Sequence, residues 1–203
     1  MFLVGLTGGI AAGKSVVSAT WEDLGAVVVD ADVLAREVVE PGSSGLSSLV
    51  ALFGTAILQT DGALDRKKLG ELIFSNEVNR KTVESILHPL IKARALAQLA
   101  AVPADQIAVY VIPLLVESKS DLPFDFVVTV EAPLEEQVKR LVENRDMTES
   151  EAIARINSQA SPAERANVAD RVLSSNQSLE LLKKDAKVLW NEITRMTSQK
   201  ASE

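Results

Sequence analysis

The stretch TGGIAAGKSV, at residues 7–16, decides the fold of this chain. It follows an apolar run of strand length, FLVGL at residues 2–6, and it leads into a segment with helical periodicity. Four residues of the stretch fill the fixed positions of the pattern G-x-x-x-x-G-K-[ST], namely Gly8, Gly13, Lys14 and Ser15. A strand, this pattern and a helix in that order indicate a phosphate-binding loop.

Each fixed position has a physical role in binding a triphosphate. Gly8 and Gly13 allow backbone angles that a side chain would forbid, so that successive N–H groups face one anion. Lys14 adds a positive charge that reaches the β- and γ-phosphates, and Ser15 offers a hydroxyl to Mg²⁺. The alternative is a glycine-rich turn without a ligand. The position between strand and helix favours the binding of a nucleoside triphosphate, since the positive end of the helix faces the same phosphates.

Composition indicates an ordinary soluble globular protein. The chain has 203 residues, of which 47% are hydrophobic and 24% charged, and its formal net charge is −7. General polynucleotide binders are basic, so the charge argues against a nucleic-acid partner. No apolar run approaches the ~18 residues of a membrane span, no secretory signal precedes the first strand, and there is no cysteine for disulfides or thiolate metal sites. These features predict a cytoplasmic enzyme with no membrane partner.

Apolar runs of strand length alternate with amphipathic segments. Strands are predicted near residues 2–6, 26–29, 107–112, 124–130 and 171–173. Helices are predicted over residues 14–24, 33–39, 46–53, 66–74, 76–101 and 179–196, and after residues 133, 148 and 161. This alternation is typical of a three-layer α/β fold with a five-stranded parallel sheet, which is the fold of phosphate-loop NTPases.

The first helix should have Leu24 on the same side as Trp21, and residues 87–89 should interrupt the fifth. The expected caps of the fourth and fifth helices are Asp65 and Ser75, and capping boxes are expected at Thr148 and Ser161. The tail from residue 197 is expected to fray.

The domain organisation follows from where strands are missing. Residues 60–102 contain helices back to back, which predicts a helical insertion on the core. A polar helical pair at residues 133–159 predicts a lid that closes over the triphosphate. The nucleotide-binding core is then formed by residues 1–59, 103–132 and 160–203.

Two carboxylates, Asp30 and Asp32, follow the predicted second strand, and Glu117 and Glu131 are also expected just past strand ends, at the same edge of the sheet. Ligands of parallel sheets bind beyond the carboxyl ends of the strands, and a carboxylate there can orient a hydroxyl acceptor and take its proton. Either residue could instead cap the helix that starts near residue 33. We assign Asp30 to capping or other supporting work, and Asp32 to catalysis, the latter largely on the resemblance described below.

Two further charged features admit two interpretations each. His88 lies in an apolar context inside the helical insertion, where a structural or substrate-contact role is favoured over general-base catalysis. Lys139, Arg140 and Arg145 could belong to the lid. Lys139 and Arg140 also lie four residues after glutamates, as on a solvated helix face, and the spacing leaves both interpretations open.

Blocks along nearly the whole chain resemble the dephospho-CoA kinase family. They are residues 7–16, DAD at 30–32, AREVV at 35–39, PG at 41–42, LHPLI at 87–91, PLLVE at 113–117, SQA at 158–160, ADRV at 169–172 and Asn176. The resemblance implies ATP-dependent phosphorylation of the ribose 3′-hydroxyl of dephospho-CoA, the last step of CoA biosynthesis. From the residues alone, another small-molecule kinase, such as a nucleoside monophosphate or shikimate-type kinase, stays open. A GTP-type switch is disfavoured, because the chain has no Asn-Lys-x-Asp segment.

The resemblance also implies the roles of individual residues. Asp32 would be the catalytic base, and Lys14 and Arg140, with Thr7, would assist the transferring phosphate. Ser15 would be the Mg²⁺ ligand. The residues that would hold the ATP phosphates are Thr7, Gly8, Gly9, Ala11, Ala12, Gly13, Lys14, Ser15 and Val16. Those that would contact dephospho-CoA are Asp32, Arg36, His88, Pro113, Leu114, Leu115 and Glu117. The expected partners are thus ATP and dephospho-CoA, and among oligomeric states a monomer is favoured.

Three features depart from the family's usual pattern. Ala11 and Ala12 stand where glycine and serine are usual, so that Ala11 must accept backbone angles that usually suit glycine. Val16 lacks a hydroxyl that can touch the α-phosphate, which predicts a lowered affinity for ATP. An arginine is usual four residues after Arg140, whereas this chain has Asn144 followed by Arg145. Either the register shifts by one residue or the lid contact differs.

Overall fold

The computed structural model describes residues 1–74, 76–118 and 120–200. Within these ranges the chain forms five strands, nine α-helices and one short 3₁₀ turn. Their bounds, in chain order, are β1 (Phe2–Gly8), α1 (Lys14–Glu22), β2 (Val27–Asp30), α2 (Ala31–Glu37), α3 (Ser44–Phe53), the 3₁₀ turn (Thr55–Ile57), α4 (Arg66–Phe74), α5 (Glu77–Ala100), β3 (Ile107–Val111), β4 (Phe126–Glu131), α6 (Leu134–Arg145), α7 (Glu149–Asn157), α8 (Pro162–Val168), β5 (Arg171–Ser174) and α9 (Leu179–Lys200). Among these described residues, no helix combines the length and the apolar character needed to cross a bilayer.

The five strands form one parallel sheet in the order β2-β3-β1-β4-β5. The central strand β1 is buried along its whole length, and it pairs with β3 on one side and with β4 on the other. A strand covered by helices on both faces is apolar throughout, as residues 2–6 are. Because the strands are parallel, their carboxyl ends meet at one edge of the sheet, and β1 ends there at Gly8. The predicted five-stranded parallel sheet is confirmed.

The chain folds into two compact units, Met1–Val29 with Val102–Glu203, and Asp30–Ala101. In the first unit, the indole N–H of Trp21 donates to the Ala186 carbonyl at 2.8 Å, and the Trp21 and Trp190 rings lie 5.9 Å apart, so α1 packs on α9. The second unit has an apolar core of its own, formed by Val39, Leu46, Leu49, Ile57, Leu64, Leu69 and Val83. The division into core, insertion and lid stays a prediction.

The helix predicted over residues 14–24 ends two residues earlier, at Glu22. Leu24, predicted on the same side of this helix as Trp21, is 41% exposed, whereas Trp21 is fully buried. The reason is the turn at Gly25, whose φ of 99° lies in the left-handed region. The Ala26 N–H then donates to the Trp21 carbonyl at 2.9 Å, so the chain reverses toward β2 and leaves Leu24 outside the core.

The interruption predicted at residues 87–89 is wrong, because α5 runs through Pro89 without a break. Proline lacks the N–H that would bond to the carbonyl of Ser85, and both residues are exposed, so water can take that place. Ser75, predicted as the cap of this helix, lies outside the described residues. The observed cap is Asn76, whose side chain accepts from the N–H groups of Val78 and Asn79 at 2.9 and 3.1 Å.

The tail predicted to fray from residue 197 is helical as far as the structure describes it, since α9 continues to Lys200. Residues 201–203 lie outside the described part of the chain.

Candidate active site

The loop between β1 and α1 depends on two glycines for different reasons. Gly8 has φ 148°, and a Cβ atom there would lie 2.2 Å from the Val130 carbonyl oxygen of β4. Glycine at this position therefore also permits the close approach of the neighbouring strand. The sequence pattern of the loop does not indicate this second requirement. Gly13 has φ 101° and is the N-cap of α1, and no side chain among the described residues caps that helix. A helix start of this kind is a binding site for an anion.

Lys14 is held against the loop by the loop's own carbonyls. Its ammonium donates to the Gly8 oxygen at 2.7 Å and to the Gly9 oxygen at 2.9 Å. These contacts place a positive charge beside the backbone that would bind phosphate. Ser15 follows in the first turn of α1 with an exposed side chain. Its hydroxyl fits a hard cation such as Mg²⁺, which prefers oxygen ligands and takes several of them from a nucleotide.

Arg140, in α6, links the loop to the segment after β5. One guanidinium nitrogen, Nη1, donates to the Ala11 carbonyl and to the Ser175 hydroxyl, both at 3.0 Å. The other, Nη2, donates to the Ser175 carbonyl at 2.9 Å and lies 3.9 Å from Glu136. Of the predicted catalytic residues, the structure thus brings Lys14 and Arg140 to the same loop.

A cavity of about 380 Å³ adjoins the loop within the first unit. This volume lies within the range of small-molecule sites. Ala11, Val16 and Leu182 form part of its apolar lining. Its polar lining includes Arg140, Asn144, Arg145, Ser175 and Gln177. A site that combines an apolar surface with cationic groups suits a nucleotide, which has a flat base and charged phosphates.

Asn144 and Arg145 both line the cavity, so a shifted register and a different lid contact both stay open. The Asn144 side chain donates to the Arg140 carbonyl at 2.9 Å, so it also satisfies a backbone oxygen near the end of α6. Ser175 and Gln177 were not expected from the sequence. The signal available for them was their position directly after β5, at the edge of the sheet where strands end.

A buried ion pair lies behind the loop. Glu131, the last residue of β4, receives two hydrogen bonds from the Arg165 guanidinium, both at 2.6 Å, and the two side chains are 14% and 5% exposed. Thr129 donates to the same carboxylate at 2.6 Å. Glu131 was predicted at the carboxyl edge of the sheet, but its partner Arg165 was not foreseen.

The capping interpretation of Asp30 is confirmed. Its carboxylate accepts from the N–H groups of Asp32 and Val33 at 2.7 and 3.4 Å. Asp32 lies in the first turn of α2 with an exposed side chain, Arg36 is exposed near the end of that helix, and His88 is exposed in α5. These three residues belong to the second unit. Their assignment to the base and to the dephospho-CoA side stays a prediction.

The other residues expected to contact dephospho-CoA lie after β3, in the first unit. Leu115 is buried and Leu114 is exposed. The Pro113 carbonyl accepts from the buried hydroxyl of Thr7 at 3.4 Å, and the Glu117 carboxylate accepts from the Ala160 N–H at 2.6 Å. This segment is therefore joined both to the loop strand β1 and to the connection between α7 and α8.

Comparison with known proteins gives consistent matches. A family model described as "CoaE: Dephospho-CoA kinase" matches residues 2–180. The chain is 42% identical to the dephospho-CoA kinase of Thermobifida fusca, over 96% of this chain and 98% of that protein. It is 48% identical to that of Mycolicibacterium paratuberculosis, over 95% of this chain but only 47% of the relative. The chain thus spans about half the length of the mycobacterial relatives that it matches.

Solved structures agree in fold. The crystal structure of TT1252 from Thermus thermophilus is similar with a TM-score of 0.80 and 32% identity, over 94% of this chain and 97% of that one. A dephospho-CoA kinase from Campylobacter jejuni has a TM-score of 0.69 and 25% identity, over 95% and 97%. The shikimate kinase of Acinetobacter baumannii, at 15% identity and a TM-score of 0.53 over 95% and 94%, shares the fold alone. A match over residues 2–180, with 42% identity across nearly all of both chains, shows that this chain belongs to the dephospho-CoA kinase family.

Proposed function

We propose that this chain transfers the γ-phosphate of ATP to the ribose 3′-hydroxyl of dephospho-CoA, giving CoA and ADP. The observation that carries the proposal is the Lys14 ammonium, held at 2.7 and 2.9 Å from the loop carbonyls beside a cavity of about 380 Å³. Membership of the dephospho-CoA kinase family supports the choice of acceptor.

The loop and its surroundings account for the ATP side of the reaction. Thr7, Gly8, Gly9 and residues 11–16 hold the phosphates, and Lys14 neutralises the charge that develops during transfer. Ser15 would hold Mg²⁺, which would supply further charge neutralisation when bound. Arg140 is hydrogen-bonded to the Ala11 carbonyl of the loop and binds the transferring phosphate during the reaction. The adjoining cavity binds the nucleoside.

The acceptor side rests on the resemblance to the family. The Asp32 carboxylate takes the proton of the ribose 3′-hydroxyl as that oxygen bonds to the γ-phosphorus and ADP leaves. Dephospho-CoA is contacted by Arg36, His88, Pro113, Leu114, Leu115 and Glu117. Residues 133–159 act as the lid and residues 60–102 as the helical insertion. The enzyme works as a cytoplasmic monomer.

The proposal is tested by offering the purified chain ATP, Mg²⁺ and a set of acceptors, and by measuring ADP release together with the mass of the product. We expect turnover with dephospho-CoA and none with nucleoside monophosphates or shikimate. Turnover of another acceptor in the absence of turnover with dephospho-CoA would overturn the choice of substrate.

A paired substitution tests the loop itself. We expect Lys14→Ala to abolish transfer, because it removes the charge that compensates the phosphates. Lys187→Ala removes the same charge from an exposed position on α9 and serves as the matched control. A kcat of Lys14→Ala close to that of the control would contradict the role of the loop.

A further inference from the structure

The backbone of one residue of the phosphate loop, Ile10, is held on both sides by glutamine side chains. The Ile10 N–H donates to Oε1 of Gln159 at 2.8 Å, and Nε2 of Gln137 donates to the Ile10 carbonyl at 2.7 Å. Gln137 lies in α6 and is 3% exposed, while Gln159 follows α7 and is half-buried. We call these two side chains the glutamine clamp.

The orientation of each amide in the glutamine clamp follows from its partner. A backbone N–H can only donate, so Gln159 must present its oxygen, and a carbonyl can only accept, so Gln137 must present its nitrogen. Gln137 is also confined by Gly9, since a Cβ atom at that position would lie 2.3 Å from the Gln137 Nε2 atom. The loop and the Gln137 amide are therefore packed closely as well as hydrogen-bonded.

The backbone next to Gln159 is itself fixed on both sides. The Ala160 N–H donates to Glu117 at 2.6 Å, and the Ala160 carbonyl accepts from the Arg165 guanidinium. Arg165 is in turn held by Glu131 through two bonds of 2.6 Å. The backbone of Gln159 is therefore held in place by β4, by α8 and by the turn after β3. Its side chain extends from this backbone to Ile10.

The residue after Ile10 shows why such support matters in this chain. Ala11 has φ 56°, a left-handed conformation that costs free energy for any residue with a Cβ atom. Its carbonyl accepts from Arg140, so three side chains in all bind the backbone atoms of Ile10 and Ala11. The loop keeps this shape because groups on α6 and after α7 satisfy its polar atoms.

We propose that Gln137 and Gln159 are positioning residues that hold the phosphate loop in the conformation that binds the triphosphate of ATP. The proposal rests on the proposed function to the extent that the loop binds ATP. The glutamine clamp touches no reacting atom, so it acts through Ile10. Its consequence is that α6, and the segment after α7, cannot leave the loop without breaking a hydrogen bond to Ile10, which couples their position to nucleotide affinity.

The same substitution at the two positions gives a discriminating experiment. Gln159→Glu keeps an oxygen that accepts from the Ile10 N–H, whereas Gln137→Glu replaces the donor to the Ile10 carbonyl by a second acceptor. Both variants introduce one carboxyl group beside the backbone of Ile10. Gln106→Glu, at an exposed position just before β3, is the control for net charge.

The dissociation constant of ATP with Mg²⁺ is measured by titration calorimetry. We expect Gln137→Glu to raise it on the order of tenfold more than Gln159→Glu does, because an unsatisfied buried polar group is costly. Equal effects of the two substitutions would overturn the proposal. Because the readout is binding, wild-type protein that binds ATP without phosphorylating dephospho-CoA would refute the proposed function and leave the test of the glutamine clamp intact.

A second pair of variants covers the case in which Gln137→Glu does not fold. Gln137→Met and Gln159→Met each remove one hydrogen bond without adding charge. We expect each to raise the dissociation constant of ATP by roughly five- to fifty-fold, while the KM of dephospho-CoA stays within about twofold of the wild-type value, since the clamp contacts only the loop. A merely structural role would lower the urea midpoint and leave the ATP dissociation constant unchanged, and that result would also overturn the proposal.

Discussion

Ala11 is the residue at which the loop stores backbone strain. Its φ of 56° belongs to the left-handed region, where one other non-glycine residue of the described chain, Asp146, is also found. The side-chain hydrogen bonds to Ile10 and Ala11 compensate for this conformation. The sequence predicts it, because Ala11 stands where glycine is usual. The strain is open to a direct measurement.

We predict that Ala11→Gly stabilises the protein. A left-handed residue with a Cβ atom costs about 1–2 kcal/mol, and glycine loses about 0.5–1 kcal/mol of that gain through its larger unfolded-state entropy. The expected net gain is up to about 1.5 kcal/mol in the free energy of unfolding measured with urea. The matched control is Ala19→Gly in α1, which should lose about 1 kcal/mol. If both substitutions destabilise equally, Ala11 is not strained.

Asp32 is the residue whose role depends most on the resemblance. We predict that Asp32→Asn, which keeps the shape of the side chain but removes the proposed base, lowers kcat on the order of 10²–10⁴-fold. Steady-state kinetics with ATP and dephospho-CoA measure the effect, and Asp23→Asn, exposed between α1 and β2, controls for the loss of charge. A change confined to the KM of dephospho-CoA would show that Asp32 positions the substrate and does not take the proton.

Among the elements, α8 is attached to β4 by a buried ion pair. Arg165→Met leaves Glu131 charged and buried without its partner, so we predict a loss of about 3–5 kcal/mol in the free energy of unfolding. The matched control is Arg171→Met, which breaks the pair with Glu192 at 3.7 Å, where the side chains are 57% and 42% exposed. That loss should stay below about 1 kcal/mol. Similar losses from the two substitutions would contradict the assigned role of the buried pair.

The helices α7 and α8 begin with capping boxes that respond to acid. The Thr148 hydroxyl and N–H donate to Glu151 and hold the pKa of its carboxyl below the ordinary value of 4.5. Ser161 acts in the same way on the pKa of Glu164. A lowered pKa in the folded state means that the carboxylates stabilise the protein above pH 4.5 and that this contribution is lost as the pH falls through the lowered pKa.

We therefore predict how the protein compares with a Glu151→Gln/Glu164→Gln variant on acidification. Neutral glutamine can form the same boxes but does not titrate. The difference in urea midpoint between wild type and variant should be constant above about pH 4.5. At lower pH the midpoint of the wild type should fall relative to that of the variant. A difference that does not change with pH would show that the two boxes do not contribute in this way.

At the scale of the whole molecule, the chain contains two compact units, each with its own apolar core. Its net charge of −7 opposes self-association. We predict that the purified chain sediments as a monomer of 21.8 kDa. A sedimentation mass that doubles at micromolar concentration would contradict the expected monomer.

The sequence was sufficient to predict helix bounds and caps, because these depend on residues that are close together in the chain. Helix α4 has the predicted bounds, and its predicted cap Asp65 accepts from the Lys68 N–H at 3.1 Å. Both predicted capping boxes are present. The predictions for Leu24 and Pro89 were wrong because tertiary surroundings decide both cases. Leu24 follows a turn that leads away from the core, and Pro89 is tolerated within α5 because it is exposed.

The sequence by itself determined the phosphate loop, the alternation of buried strands with helices and the family, because each depends on residue types at short, constant spacings. Only the tertiary structure decided the strand order, the lining of the cavity and the partners of the loop peptides. Gln137 lies 127 residues from Ile10 in the chain and Gln159 lies 149 residues away. Contacts across such separations are set by how helices pack on the sheet, and they leave no periodic trace in the residues themselves.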